Sequence, residues 1–168
     1  LDPHSFPTRR SSDLKNIKTI LNELLVSTFN EILTIEQTAL KSGKLNDLSV
    51  TEIHTIEAIG MYKPRTMSEV AGDLGITVGT LTTAINNLVK KEYVERQKDE
   101  NDRRVVKIVL TKKGKLAYRV HEKFHSDMIK ATIEGLTDEE EVLLADALGK
   151  LNDFFKNNYL EKNEDKKE

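Results

Sequence analysis

LGITVGTLTTAINNLVKKEYVERQKDENDRRVVKIVLTKKG, residues Leu74–Gly114, changes its apolar period part-way along, and that change sets the fold. In its first half Leu81, Ile85, Leu88 and Val89 recur at helical spacing behind Thr77, a hydroxyl residue suited to capping a helix N-terminus. In its second half Val106, Ile108 and Leu110 alternate, so 105–110 reads as a strand. Its partner is 93–98, across the Asp- and Asn-rich loop DENDRR at 99–104. Immediately upstream, Thr66-Met-Ser-Glu69 is a capping box, in which a hydroxyl and a carboxylate each satisfy a free backbone N–H. It opens a helix that carries Val70, Ala71 and Leu74 and closes at Gly75. Two short helices joined through a glycine predict a helix-turn-helix, and the hairpin that follows would be its wing. Ala71 is small where the helices cross, and Gly75 can take the positive φ of the turn. Ile76 is expected to plug the angle between them.

Working outward, Ile17, Ile20, Leu21, Leu24, Leu25, Thr28, Ile32 and Ile35 predict a long amphipathic helix over about 15–41, ended by Ser42-Gly43. Ser49-Val-Thr-Glu52 is another capping box, opening a short helix that stops near Gly60. Thr111 caps a helix over about 112–134, and a third capping box, Thr137-Asp-Glu-Glu140, starts the last helix, which fades after about Tyr159. The chain therefore divides into a long helix within 15–48, a winged helix-turn-helix at 49–111, helices within 112–160 and a charged tail at 161–168. The fold class is mainly α, with one small β-hairpin. Residues 1–14, LDPHSFPTRRSSDL, stand apart, with two of the three prolines and no periodicity. SFPTRRSSDL resembles the translation of a sequencing-adapter oligonucleotide, so the segment is expected to be non-native and is set aside with its Arg9-Arg10 pair.

Composition narrows the function. The 168 residues carry a net charge of −2 and no cysteine, which removes disulfides, thiolate ligands and thiol redox chemistry. The charge is unevenly spread: Asn86–Arg119 holds eleven Lys and Arg against five acids, whereas Glu134–Glu168 holds eleven acids against five Lys. No apolar run approaches bilayer length and no signal peptide is visible, so the cytoplasm is the expected location. Gly72, Gly75 and Gly79 are too scattered for a phosphate-binding loop, and no catalytic spacing of Ser, His or carboxylates is present, so no enzyme activity and no cofactor are expected.

A nucleic-acid partner fits better. The outward face of the second helix, Thr77, Gly79, Thr80, Thr83, Asn86, Asn87 and Lys90, is short and polar and suits close approach to base edges and phosphates. Base contact is expected nearer its start, at Thr77, Gly79, Thr80 and Thr83. Lys90 and Lys91 are expected to meet phosphate or solvent. Thr66 and Ser68, at the start of the preceding helix, are candidate phosphate contacts, because helix N-termini offer free N–H groups to anions. Arg103 and Arg104 alone would read as a solvated turn paired with Asp99, Glu100 and Asp102. Directly after a helix-turn-helix they read as a wing tip reaching into a narrow minor groove, with Asp102 orienting one arginine or capping the turn.

The order of these parts, with Asp102-Arg-Arg104 at the wing tip and Leu110-Thr-Lys-Lys-Gly114 after the second strand, resembles the MarR family of winged-helix regulators over residues 15 to about 158. That resemblance implies a homodimer on a pseudo-palindromic duplex, its long N- and C-terminal helices serving as dimerisation helices. The recognition helix would lie in the major groove and the wing in the minor groove. Matching the family motif makes Arg104 the anchored arginine and Arg103 the outward one. IEQTALKSGK, SVTEIHTIEAIG, VGTLTTAINNLVKKEYVER and HEKFH further resemble the branch of the family that represses fatty-acid-synthesis genes. This implies long-chain acyl-acyl carrier protein as corepressor. Two alternatives stay open within the family: a regulator of another small apolar effector, or a zinc-responsive one. His121 and His125, four apart on one helix face, have metal-ligand spacing, with His54, Glu36, Glu57 and Glu122 as further donors that no spacing singles out. An interaction module that keeps the fold without binding DNA is the alternative from another class.

Overall fold

The computed structural model describes residues 11–99, 102 and 105–160. The elements run α1 (Ser11–Ser42), α2 (Val50–Ile59), β1 (Arg65–Thr66), α3 (Met67–Leu74), α4 (Val78–Lys90), β2 (Val94–Lys98), β3 (Val106–Leu110), α5 (Lys112–Ile133) and α6 (Asp138–Phe155). A short wide-turned segment, Lys156–Leu160, continues α6. They form two compact units, one up to Arg119 and one from Val120 on.

Caps set the helix starts. Ser49, Thr66 and Thr137 each accept from the backbone N–H three residues on, and Glu52, Glu69 and Glu140 return the bond, so all three expected capping boxes are formed. α3 ends at Gly75, which takes the left-handed conformation at φ 64°. α1 begins at Ser11, four residues before the expected start, so Ser11–Leu14 of the segment set aside above are helical; Ser and Asp are residue types that favour a helix beginning.

The first unit has one core. Ile53, Ile56 and Ile59 of α2 meet Val70 and Ala71 of α3 and Leu81, Ile85 and Leu88 of α4, while Tyr93, Val94, Ile108 and Leu110 cover them from the sheet side. Ala117 of α5 and Leu40, Leu45 and Leu48 close it. The sheet has three antiparallel strands in the order β1-β3-β2, with Val94 opposite Leu110, Arg96 opposite Ile108 and Lys98 opposite Val106. The hairpin agrees with the expectation, but β1 does not appear in it. Two residues, Arg65 opposite Ile108 and Thr66 opposite Lys107, are too few to show a period. Ile76 also departs from its expected role, being 37% exposed, while Ala71 of α3 and Leu81 of α4 are buried in the core.

The motif Leu110-Thr-Lys-Lys-Gly114 has a packing reason. Thr111 Oγ1 donates to the Glu92 carbonyl at 2.7 Å and accepts the Gly114 N–H at 3.0 Å, so one hydroxyl joins the α4–β2 turn to the start of α5. Gly114 lies against the Tyr93 carbonyl so closely that any Cβ would overlap it. In the second unit α6 buries no residue, and Val142, Leu143, Leu148 and Phe154 stand exposed on it. α1 likewise exposes Leu21, Leu24, Phe29 and Leu33.

Candidate nucleic-acid interface

Helix α4 turns Leu81, Ile85 and Leu88 into the core, so its remaining sides are dictated by the 100° step between residues. Thr77, Gly79, Thr80, Thr83, Asn86, Asn87 and Lys90 all lie exposed on the outward side, as the spacing predicts. Thr77 Oγ1 accepts the Thr80 N–H at 3.1 Å and shares a proton with Thr80 Oγ1 at 2.9 Å, so the two hydroxyls form one small polar edge at the helix start. The first turn of α4 carries no acidic residue, unlike that of α2, α3 or α6. The positive dipole end of α4 therefore has no carboxylate in its own first turn. Beside this face is a cleft of about 690 Å³, whose walls include Thr80, Thr83 and Asn87 of α4 together with His54, Leu74 and Ile76.

The start of α3 is different. Thr66 Oγ1 accepts from the Glu69 N–H at 3.2 Å and donates to Glu69 Oε2 at 2.9 Å, and hydrogen bonds from the Thr66 backbone and hydroxyl hold the Glu69 carboxyl below its usual pKa. The Thr66 hydroxyl is engaged in the cap, and a carboxylate occupies the anion position that a phosphate would need. Ser68 is exposed on the first turn.

Lys91 departs from its expected role of meeting phosphate or solvent. Its ammonium turns back to Glu52, 2.9 and 2.8 Å from the two carboxylate oxygens, and to the Asp47 carbonyl. Burial tends to raise the Glu52 carboxyl pKa, but the hydrogen bond from Lys91 and the Ser49 N–H outweigh it and hold the group below the ordinary value. Lys90 is exposed on the outward side.

Arg103 and Arg104 lie outside the described residues. The base of the wing is described, and Asp99 organises it. Its Oδ1 accepts the Asp102 N–H at 3.1 Å, its Oδ2 pairs with Lys107, and its own N–H donates to the Val105 carbonyl at 3.0 Å. Asp102 enters the turn through its backbone, its carbonyl accepting the Val105 N–H at 2.9 Å. Arg96 was read in the sequence only as a strand residue, yet its guanidinium donates to Asn86 Oδ1 at 2.6 Å. The only sequence signal was an arginine on the exposed side of a strand following α4. Of the candidate metal donors, His54 Nε2 lies 2.8 Å from Glu36 Oε1 in the first unit, and the His121 and His125 rings meet edge to face at 4.5 Å in the second.

The sequence pattern of the MarR family matches residues 48–106, which span α2 to the start of β3. Crystallised Streptococcus pneumoniae FabT, in complex with DNA, is 41% identical, with a TM-score of 0.80 over 83% of this chain and 98% of that one. The chain belongs to the MarR family. Among its Bacillus subtilis relatives, the helix-turn-helix transcriptional regulator YsmB is 30% identical over 64% of this chain and 75% of its own length. PchR, another such regulator, is 27% identical over 46% of each protein. Membership makes the chain a DNA-binding transcriptional regulator of MarR type and not an enzyme. No described helix is long and apolar enough to cross a membrane.

Proposed function

We propose that this MarR-family regulator is a homodimeric repressor that reads a pseudo-palindromic operator through two copies of α4. Thr77, Gly79, Thr80, Thr83, Asn86 and Asn87 would face the major groove, Lys90 and Ser68 the phosphates, and Arg103 the minor groove at the wing tip, with Arg104 anchoring the wing. The observation that carries the reading is the exposed, acid-free start of α4, in a chain 41% identical to a protein crystallised on DNA. Exposed large apolar side chains on α1 and on α6 support the dimer, since bare leucines and phenylalanines in such numbers are ordinarily covered. The cytoplasm is the compartment this role requires.

The targets we favour are fatty-acid-synthesis genes, with long-chain acyl-acyl carrier protein as corepressor; the sequence resemblance supports this choice. The test is a titration of the upstream DNA of such genes with and without long-chain acyl-acyl carrier protein. Tighter binding with the acylated carrier than with the unacylated one supports the reading, and equal binding refutes the corepressor. Binding should weaken steeply with salt, because each neutralised phosphate releases counterion. Arg103→Ala should cost about 1–3 kcal/mol of operator binding, and unchanged affinity in a folded Arg103/Arg104 double mutant would sink the wing assignment.

A zinc-responsive regulator is the second reading, favoured by the close approach of the His121 and His125 rings. Two imidazoles on one helix face are half of a tetrahedral set. Metal content after purification, and zinc dependence of operator binding in His121→Ala and His125→Ala, separate it from the first.

A further inference from the structure

Arg96 and Asn86 meet between β2 and α4, the strand residue reaching a side chain on the outward side of the helix. Arg96 Nη2 and Asn86 Oδ1 are 2.6 Å apart, and both side chains are exposed. Arg96's only hydrogen-bond partner among the described residues is Asn86.

The chemistry of the pair is one-sided. An asparagine amide has an accepting end and a donating end of nearly the same shape, so an unheld Asn can turn either toward a ligand. A guanidinium carries donors alone and keeps its charge at any pH a protein survives. The atom facing Arg96 must therefore be the amide oxygen, and the Nδ2 donors must point the other way. One oxygen lone pair is engaged as well, which limits what else Asn86 can accept.

We propose that Arg96 is a positioning residue that fixes the polarity of the Asn86 amide, so that Asn86 addresses DNA as a hydrogen-bond donor. The acceptors that fit are purine N7, guanine O6 and thymine O4 at the edge of a major-groove base pair. Arg96 also supplies four further N–H donors and a fixed positive charge beside the helix, which suits a phosphate of the same groove. Lysine, also a donor without an acceptor, would face the same oxygen but, as a point ammonium with rotating donors, would hold the amide plane less firmly. This inference rests on the reading of α4 as the helix that enters the major groove.

The test starts from a duplex selected by the wild-type protein from a library with a randomised core. Affinities for that duplex and all its single base-pair variants are then measured for wild type, Arg96→Gln, Arg96→Lys, Asn86→Ala and Asn86→Asp, each checked for folding by its thermal transition. Wild type should prefer its base pair at one position of each half-site by about tenfold. That preference should collapse at the same position in Arg96→Gln and in Asn86→Ala, and Arg96→Lys should recover overall affinity with only part of the preference. Asn86→Asp keeps a partner for Arg96 but has no donors, so it should bind more weakly than Asn86→Ala. If Arg96→Gln weakens every duplex equally and leaves the preference intact, Arg96 is a phosphate contact only and the inference is overturned while the DNA reading stands. If the wild type selects no duplex, the reading of α4 falls, and this inference with it.

Discussion

The Lys91 ammonium holds both carboxylate oxygens of Glu52, at 2.9 and 2.8 Å, and so ties the C-cap of α4 to the first turn of α2. Glu52 simultaneously accepts the Ser49 N–H at 2.9 Å, which makes one buried carboxylate both a helix cap and an interhelical anchor. Lys113 completes the junction, donating to the Lys91 carbonyl at 2.9 Å and lying 4.1 Å over the Tyr93 ring, while the Tyr93 hydroxyl donates to Asp47 at 2.7 Å. Burial, then that bond to Asp47, pushes the Tyr93 phenol pKa upward.

Lys91→Ala leaves the Glu52 carboxylate buried with only its cap bonds. The expected loss is about 2 kcal/mol, the size of a hydrogen bond to a charged group in a part-buried site. A urea transition with unchanged slope and a lower midpoint would show it. Lys90→Ala, at the exposed neighbour, should leave the midpoint where it is.

The depressed Glu52 carboxyl predicts acid sensitivity of a definite sign. Its folded pKa lies below the ordinary glutamate value, so its stabilisation is fully present above that ordinary value and is lost as pH falls through the folded one. Unfolding midpoints measured between pH 6 and pH 3 should fall with acid more steeply in wild type than in Glu52→Gln.

Gly114→Ala should be strongly destabilising, by about 2–3 kcal/mol, because the new methyl overlaps the backbone carbonyl of Tyr93 and neither α5 nor the α4–β2 turn can yield freely. Thermal unfolding would report it. The same substitution at Gly72, where a Cβ meets nothing within 4 Å, should be neutral or slightly stabilising.

Glu92 is the non-glycine residue with positive φ among the described residues, at 64°. Glu92→Gly removes that strain and keeps the backbone carbonyl that Thr111 uses. The variant should be more stable than wild type by roughly 1 kcal/mol, read from its urea midpoint.

Leu24 of α1 is 58% exposed and Phe29 55%. If these faces join two copies of the chain, Leu24→Lys with Phe29→Lys should shift the protein from dimer to monomer by sedimentation velocity and weaken binding to a two-half-site duplex. A double variant that remains dimeric would move the interface away from these positions of α1.

The sequence alone determined what depends on near neighbours. Each capping box closes over three residues, and each helix face follows from a 3.6-residue period, so Ser49, Thr66, Thr77 and Thr137 announced four helices and the outward row of α4. The hairpin followed from its alternation, and Gly75 from the sharp turn that only a positive φ allows. Pairings between distant residues are invisible to such local rules. Lys91 and Glu52 lie 39 apart in the chain, Lys91 looks like any other lysine at a helix end, and nothing in its surroundings says that it turns inward. Arg96 was an unremarked strand residue until the fold brought it to Asn86. The third strand, the exposure of Ile76 and the burial of Gly114 against Tyr93 are of the same kind. Local hydrogen bonding and periodicity wrote the elements into the chain. Which charges neutralise one another, and which end of the Asn86 amide meets Arg96, was decided only when packing brought distant side chains within hydrogen-bond reach.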